Sequence, residues 1–269
     1  MLESMVNFKD IEKRPYSTFF WSFIVTTIAV LFSTQVSYRL QVGNEMIDLA
    51  GLFAVMFTII PSIYLFTTVI KNEEAIEERE IRILNERYIW RRHWNDLIFM
   101  MSYFFGVAMA FAFWSFILSD DLFFLQIHKI NEIRTSITGY ALVEESFENF
   151  RKIFFNNLSV FLFAFVFSLL FGTGAVFIIA WNASVLGVFI GKLSRSIFHI
   201  PIVTLNFLPH GLPEIMGYLC AGLAGSLLSA AIIRGHNINI ITKIAIDCLL
   251  VVIFGIFLIV SAAFIEVYL

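Results

Sequence analysis

Charge is scarce in this sequence. Asp, Glu, Lys and Arg make up 14% of the 269 residues, against about 25% in an ordinary soluble chain. No block of lysine and arginine is present, which removes the usual footprint of nucleic-acid binding. Cysteine is nearly absent. Cys220 and Cys248 both sit in apolar stretches, so a disulfide framework is not indicated and each reads as a small buried hydrophobe. Motifs of catalysis are missing too. The zinc pattern His-Glu-x-x-His does not occur, and Gly172-Thr173-Gly174 lacks the Lys-Ser/Thr that a phosphate loop requires. No nucleophile elbow points to a serine hydrolase.

Apolar sequence fills the space. Hydrophobic residues reach 59% and mean hydropathy is +0.84. Several apolar runs approach ~20 residues, the length needed to cross a bilayer core. The chain therefore reads as all-α, a polytopic transmembrane helical bundle. About six spans are expected, with amphipathic interfacial helices and one broken or re-entrant segment. We treat residues 1–269 as a single membrane domain with the lipid bilayer as its solvent.

In order, Met1 to Thr18 is a short polar arm with Met5, Phe8 and Ile11 on one side, and Pro15 marks the start of the first helix. That first apolar run is too long for a signal-peptide core and is read as a retained span. Span one is placed at residues 19–36, span two at 49–70 and span three at 97–118. Pro61 should kink span two, with Thr58 or Ser62 bonding the freed carbonyl. Residues 71–94 form a charged helix. Glu78 and Arg82 are four apart in the favourable order, while Ile76, Ile83 and Trp90 recur every seven residues. It reads either as a solvated helix or as a docking helix for a partner or a second subunit. In 119–157, Asp120 or Asp121 can cap one amphipathic helix. Val143, Phe147, Phe150 and Phe154 give a second an aromatic face, suited to an interface or to packing across the ends of the spans. Residues 158–269 form the remaining core, with span four at 158–181 and a last span at 244–269. Lys192, Arg195, His199 and Pro201 break the segment 183–208.

Orientation follows from the early loops. Lys9, Lys13 and Arg14 precede span one, and six basic residues fall between Lys71 and Arg92, against Arg39 alone in the first turn. The positive-inside rule then places the amino terminus and the charged helix in the cytoplasm, and the protein as a multi-pass chain in the cell membrane.

Polar groups set in apolar sequence mark candidate sites. The hypothetical binding cluster is Asn156, Asn157, Asn182, His210 and Glu214. Asn156-Asn157 at the start of span four also suits a cap. His210 and Glu214 are four apart, on one helical face. They fit three readings: a capped helix start after Pro213, a polar binding or proton-handling site, or a metal site, which lacks its third and fourth ligands. No catalytic residue, metal ligand or cofactor is assigned. Glu144-Glu145 invites comparison with intramembrane CAAX-type proteases, but their arginine comes four after the first glutamate, and Arg151 comes seven after. Gly217, Ala221, Gly225 and Ser229 recur every four residues, and Gly222, Ser226 and Ala230 form a second row. Such ridges let helices approach closely.

In this order the features resemble the stage II sporulation protein M family. The residues that carry the resemblance are Asn156-Asn157, Gly172 and Gly174, Asn182 with Gly187, Pro209-His210-Gly211-Leu212-Pro213-Glu214, and Ala221-Gly222-Leu223-Ala224-Gly225, over roughly residues 145–269. The resemblance implies a multi-pass α-helical protein that organises other membrane or envelope proteins, itself no hydrolase. A non-catalytic scaffold or complex subunit, open to homo-oligomerisation, is the first expectation. A transporter or channel-like protein is the second, and it requires the five polar side chains to converge on one cavity.

Overall fold

The computed structural model describes residues 15–43, 45–83, 89–138 and 146–268. The amino-terminal arm, Glu144-Glu145 and the side chains that would face a partner on the charged helix lie outside that description. Eight α-helices and one small hairpin are formed among the described residues: α1 (Pro15–Val36), β1 (Arg39–Val42), β2 (Glu45–Asp48), α2 (Ala50–Ile83), α3 (Ile89–Ile117), α4 (Phe124–Thr138), α5 (Ser146–Phe171), α6 (Ala175–Leu193), α7 (Ile200–Ile233) and α8 (Ile238–Tyr268). All but α4 contain a segment long and apolar enough to cross a membrane.

Helix is the form that satisfies backbone groups within one segment in lipid. Embedded hydroxyls follow suit by bonding the preceding turn. Ser33 Oγ donates to the Val30 carbonyl at 2.7 Å and Ser102 Oγ to that of Ile98 at 2.7 Å. Thr58 and Ser62 do the same, to the carbonyls of Ala54 and Thr58 at 2.8 and 2.6 Å. Neither donates to the carbonyl of Phe57, which Pro61 leaves without its usual helical donor, so the expected local rescue is not the one formed. Ser62 instead accepts from the Tyr103 hydroxyl at 2.9 Å, tying α2 to α3.

α7 is the central helix. Over its most apolar window 78% of residues are buried, against 28% in α1 and in α5. It packs on α5 and α8, while α3 packs on α1 and α6. The ends are pinned by polar contacts. Arg234 Nη2 donates to the Lys71 carbonyl at 2.9 Å, and Lys192 pairs with Asp120. α4 lies at the latter end, held by Gln126, whose Nε2 donates to the Gly51 carbonyl at 3.1 Å and to Ser184 Oγ at 3.4 Å.

The short turn after α1 is an antiparallel hairpin pairing Arg39 with Asp48 through Val42 with Glu45. Its Asp48 accepts from Arg39 Nε at 3.2 Å and from the Ala50 N–H at 2.8 Å, so one carboxylate closes the hairpin and starts α2. Three expectations need correction. First, the amphipathic helix after residue 146 and the following span are one helix, α5. Asn156 and Asn157 therefore lie well inside it and cap nothing. Second, Gly172 and Gly174 do not sit within a span. Gly172 takes φ +69°, a left-handed conformation in which glycine is unstrained, and the chain reverses there. The Ser168 hydroxyl accepts from the Ala175 N–H at 2.9 Å and fastens the reversal.

A last correction concerns the re-entrant alternative for 183–208. The segment is interrupted, as expected, but between two helices of spanning length: it contains the second half of α6, a turn with a short 3-10 helix at Ile197–His199, and the beginning of α7. Lys192 is tolerated because it lies in the last turn of α6, where it meets Asp120. α7 then runs straight through Pro209 and Pro213. The about six expected spans thus become seven helices of spanning length. The architecture expected from composition, an all-α helical bundle, is the one formed.

Candidate functional site

A cavity of about 620 Å³ opens between α5, α6, α7 and α8, with α3 and α4 completing its walls. That volume is within the ~300–1,000 Å³ typical of small-molecule sites. All five residues singled out from the sequence line it: Asn156 and Asn157 from α5, Asn182 from α6, His210 and Glu214 from α7. They are up to 58 positions apart in the chain. Only the helix packing brings them together.

α7 supplies the spine of the site. Asn206, His210, Glu214 and Tyr218 recur every four residues, so they form one polar stripe down a helical face, and all four line the cavity. Tyr218, buried, donates its hydroxyl to Glu214 Oε1 at 2.7 Å. The Asn157 side chain reaches the same carboxyl group from α5, and Asn156 Nδ2 donates to Asn157 Oδ1 at 3.3 Å. A connected polar network thus runs from α7 to α5. Asn182 Nδ2 donates to the Ile178 carbonyl at 2.8 Å, which fixes its amide on the wall of α6. The His210 ring meets the Phe207 ring edge-on, with centroids 4.8 Å apart.

Lys152, Asn206, Tyr218 and Glu266 also line the cavity and are additions to the sequence-derived set. Two signals for them were legible. Asn206 and Tyr218 extend the His210–Glu214 spacing by four in each direction, and Lys152 lies four before Asn156. Glu266 has no such signal. It comes from the end of α8 and reaches the site because α8 packs against α7. The remaining wall is apolar, with Phe104, Ile130, Ile133, Leu186 and Phe189 among its members.

The capped-helix reading of His210 and Glu214 does not hold, since both lie in the interior of α7 rather than at its start. Among the described residues no group of three His, Cys, Asp or Glu side chains is placed to hold a metal ion. The arrangement offers hydrogen-bond donors, acceptors and carboxyl groups to a solute within a largely apolar enclosure.

The packing residues occupy a different part of α7. Gly217, Ala221, Gly222, Gly225 and Ser229 are all buried. A Cβ at Gly222 would stand 2.7 Å from that of Ala175. One at Gly225 would stand 2.5 Å from the Phe165 carbonyl oxygen, and one at Gly217 would stand 2.7 Å from Ile259 Cγ1. α8 closes on Gly217, α6 on Gly222 and α5 on Gly225, all from the same chain.

The model of the stage II sporulation protein M family matches residues 98–269, which include every residue of the cavity. An uncharacterized protein of Methanocaldococcus jannaschii is 30% identical over 149 residues, covering 54% of this chain and 83% of that protein. No solved structure matches.

Proposed function

The chain belongs to the stage II sporulation protein M family, and we propose that it is a membrane protein that binds a small polar or amphiphilic solute in the cavity of α5–α8, in the manner of a transporter or channel-like protein. One observation carries this reading. Five polar side chains from three helices, set apart in the sequence by their apolar surroundings, line a single enclosure. Polar groups at depth in a membrane protein are costly and cluster where function requires them. With the amino terminus in the cytoplasm, the cavity opens toward the outer face, since it lies at the α4 end of the bundle, opposite Lys71 and Arg234.

A membrane-impermeant thiol reagent tests this. Cys220 and Cys248 are buried and form no disulfide, so background labelling is low. In intact cells an Asn182→Cys variant should react, and Ala183→Cys, fully buried next to it, should not. An unreactive Asn182→Cys in folded protein overturns a solvent-filled site open to that face. His210→Ala and Glu214→Ala should then each abolish the protein's activity in cells while the folded protein accumulates normally.

The second reading is a non-catalytic scaffold or subunit of a membrane or envelope complex. What favours it is α5, along which Phe147, Phe155, Phe163 and Phe171 stand exposed to lipid or to a neighbouring helix. Under this reading, enlarging Phe163 or removing it disturbs activity, while the cavity variants do not.

A further inference from the structure

We propose that the cavity selects an uncharged amphiphile, an apolar body whose head both donates and accepts hydrogen bonds (a carboxamide or a hydroxyl), and that the amides of Asn182 and Asn206 recognise that head. This rests on the reading of the cavity as a solute site and adds the class of solute.

The ionisable groups of the enclosure are already engaged with the protein. Glu214 accepts from the Tyr218 hydroxyl at 2.7 Å and is bonded by the Asn157 side chain. The His210 imidazole acts on Glu266, and Lys152 has an interaction of its own. A charged head would compete with these contacts. It would also shed its water into a largely apolar space, which costs far more for a charge than for a neutral polar group.

The amides stand differently. Asn182 Nδ2 gives one N–H to the Ile178 carbonyl at 2.8 Å, inside α6. A side-chain amide has two N–H donors and a carbonyl acceptor. Asn182 therefore keeps a donor and an acceptor for the cavity that it lines. Asn206 stands exposed on the cavity side of α7. Each amide sets a donor beside an acceptor, which suits a partner that is both at once. A head that only accepts, or only donates, leaves half of each amide unmatched.

The walls describe the rest of the solute. The polar stripe of α7 from Asn206 to Tyr218 is about 18 Å long, at 1.5 Å per residue. What α3 and α4 contribute to the same enclosure is apolar: Phe104, Ile130 and Ile133. A space of about 620 Å³ with polar groups along one helix and apolar side chains from others fits a solute divided in the same way.

The experiment uses the full chain in nanodiscs of neutral phosphatidylcholine at neutral pH, with five probes built on one phenyl ring. 2-Phenylacetamide and 2-phenylethanol carry heads that donate and accept. N,N-dimethyl-2-phenylacetamide only accepts, and phenylacetate and phenethylamine are charged. Binding is read by calorimetric titration, with empty nanodiscs subtracted. At least one of the first two should bind saturably and about tenfold more tightly than each of the other three, the increment of two neutral hydrogen bonds. Asn182→Leu and Asn206→Leu should each remove most of that preference. Asn206 is exposed, so its variant tests the idea even if Asn182→Leu fails to fold. An unchanged preference in folded Asn206→Leu overturns recognition by the amides. If the dimethyl compound or a charged probe binds as tightly as the best neutral head, the class is wrong and the solute site stands. No saturable binding of any probe also overturns the class, and the solute site is then judged by the labelling of Asn182→Cys.

Discussion

The two halves of α7 are built from different material and do different things. Between Ile200 and Glu214 the only fully buried residues are Ile200 and Gly211, whereas from Ile215 to Ala231 burial is almost continuous. The first half carries Pro209 and Pro213, and with them Asn206, His210 and Glu214 facing the cavity. The second half carries Gly217, Gly222 and Gly225, where neighbouring helices approach until no side chain fits between. In lipid there is no hydrophobic gain from bringing apolar helices together, so close van der Waals contact must hold them. One half of the helix achieves that contact. The other half is thereby free to stand apart from its neighbours and leave room for a solute.

Three substitutions probe this division. Gly225→Leu should have the largest effect. Its side chain would be driven into the Phe165 carbonyl and Ser168, and we expect a loss of at least about 3 kcal/mol, the upper end for overpacking. Little monodisperse protein should survive size-exclusion chromatography in detergent. A Gly225→Leu variant of normal stability would mean that the close-packed half does not hold the bundle. Tyr218→Phe acts at the boundary. It deletes the 2.7 Å bond to Glu214, and its cost should be about 1 kcal/mol, seen as a small drop in the unfolding midpoint with the helical circular dichroism spectrum unchanged. Asn206→Leu enlarges an apolar surface on the open half. Asn206 is exposed on the cavity side, so stability should stay within about 0.5 kcal/mol. If it falls as far as for Gly225→Leu, the two halves are not distinct.

Part of this was legible in the chain. The repeat of small residues after Pro213 announces close packing, and the structure spends it on α5, α6 and α8. The scattered asparagines with His210 and Glu214 announce a polar site, and they line one cavity. The ends of the helices were less legible. Lys192 looked like an interruption and is the end of a span, because Asp120 waits there from another part of the chain. Pro213 looked like a helix start and lies inside α7, because proline signals a beginning only where nothing upstream is already helical. Gly172 suited either a close helix approach or a break, and it is a reversal. Each of these residue types serves two purposes, and neighbours distant in sequence select between them.

By itself the sequence determined the medium and the material: too little charge for water, enough apolar length for many helices, and a few polar groups that lipid would not tolerate without a purpose. Which of those groups meet was decided by the tertiary structure. Glu266 and Asn157 are more than 100 positions apart and share a cavity wall with Glu214. They do so because small residues let α7 lie against α5 and α8 at backbone distance, and helix-to-helix distance is a property of surfaces in contact, which no single stretch of chain contains.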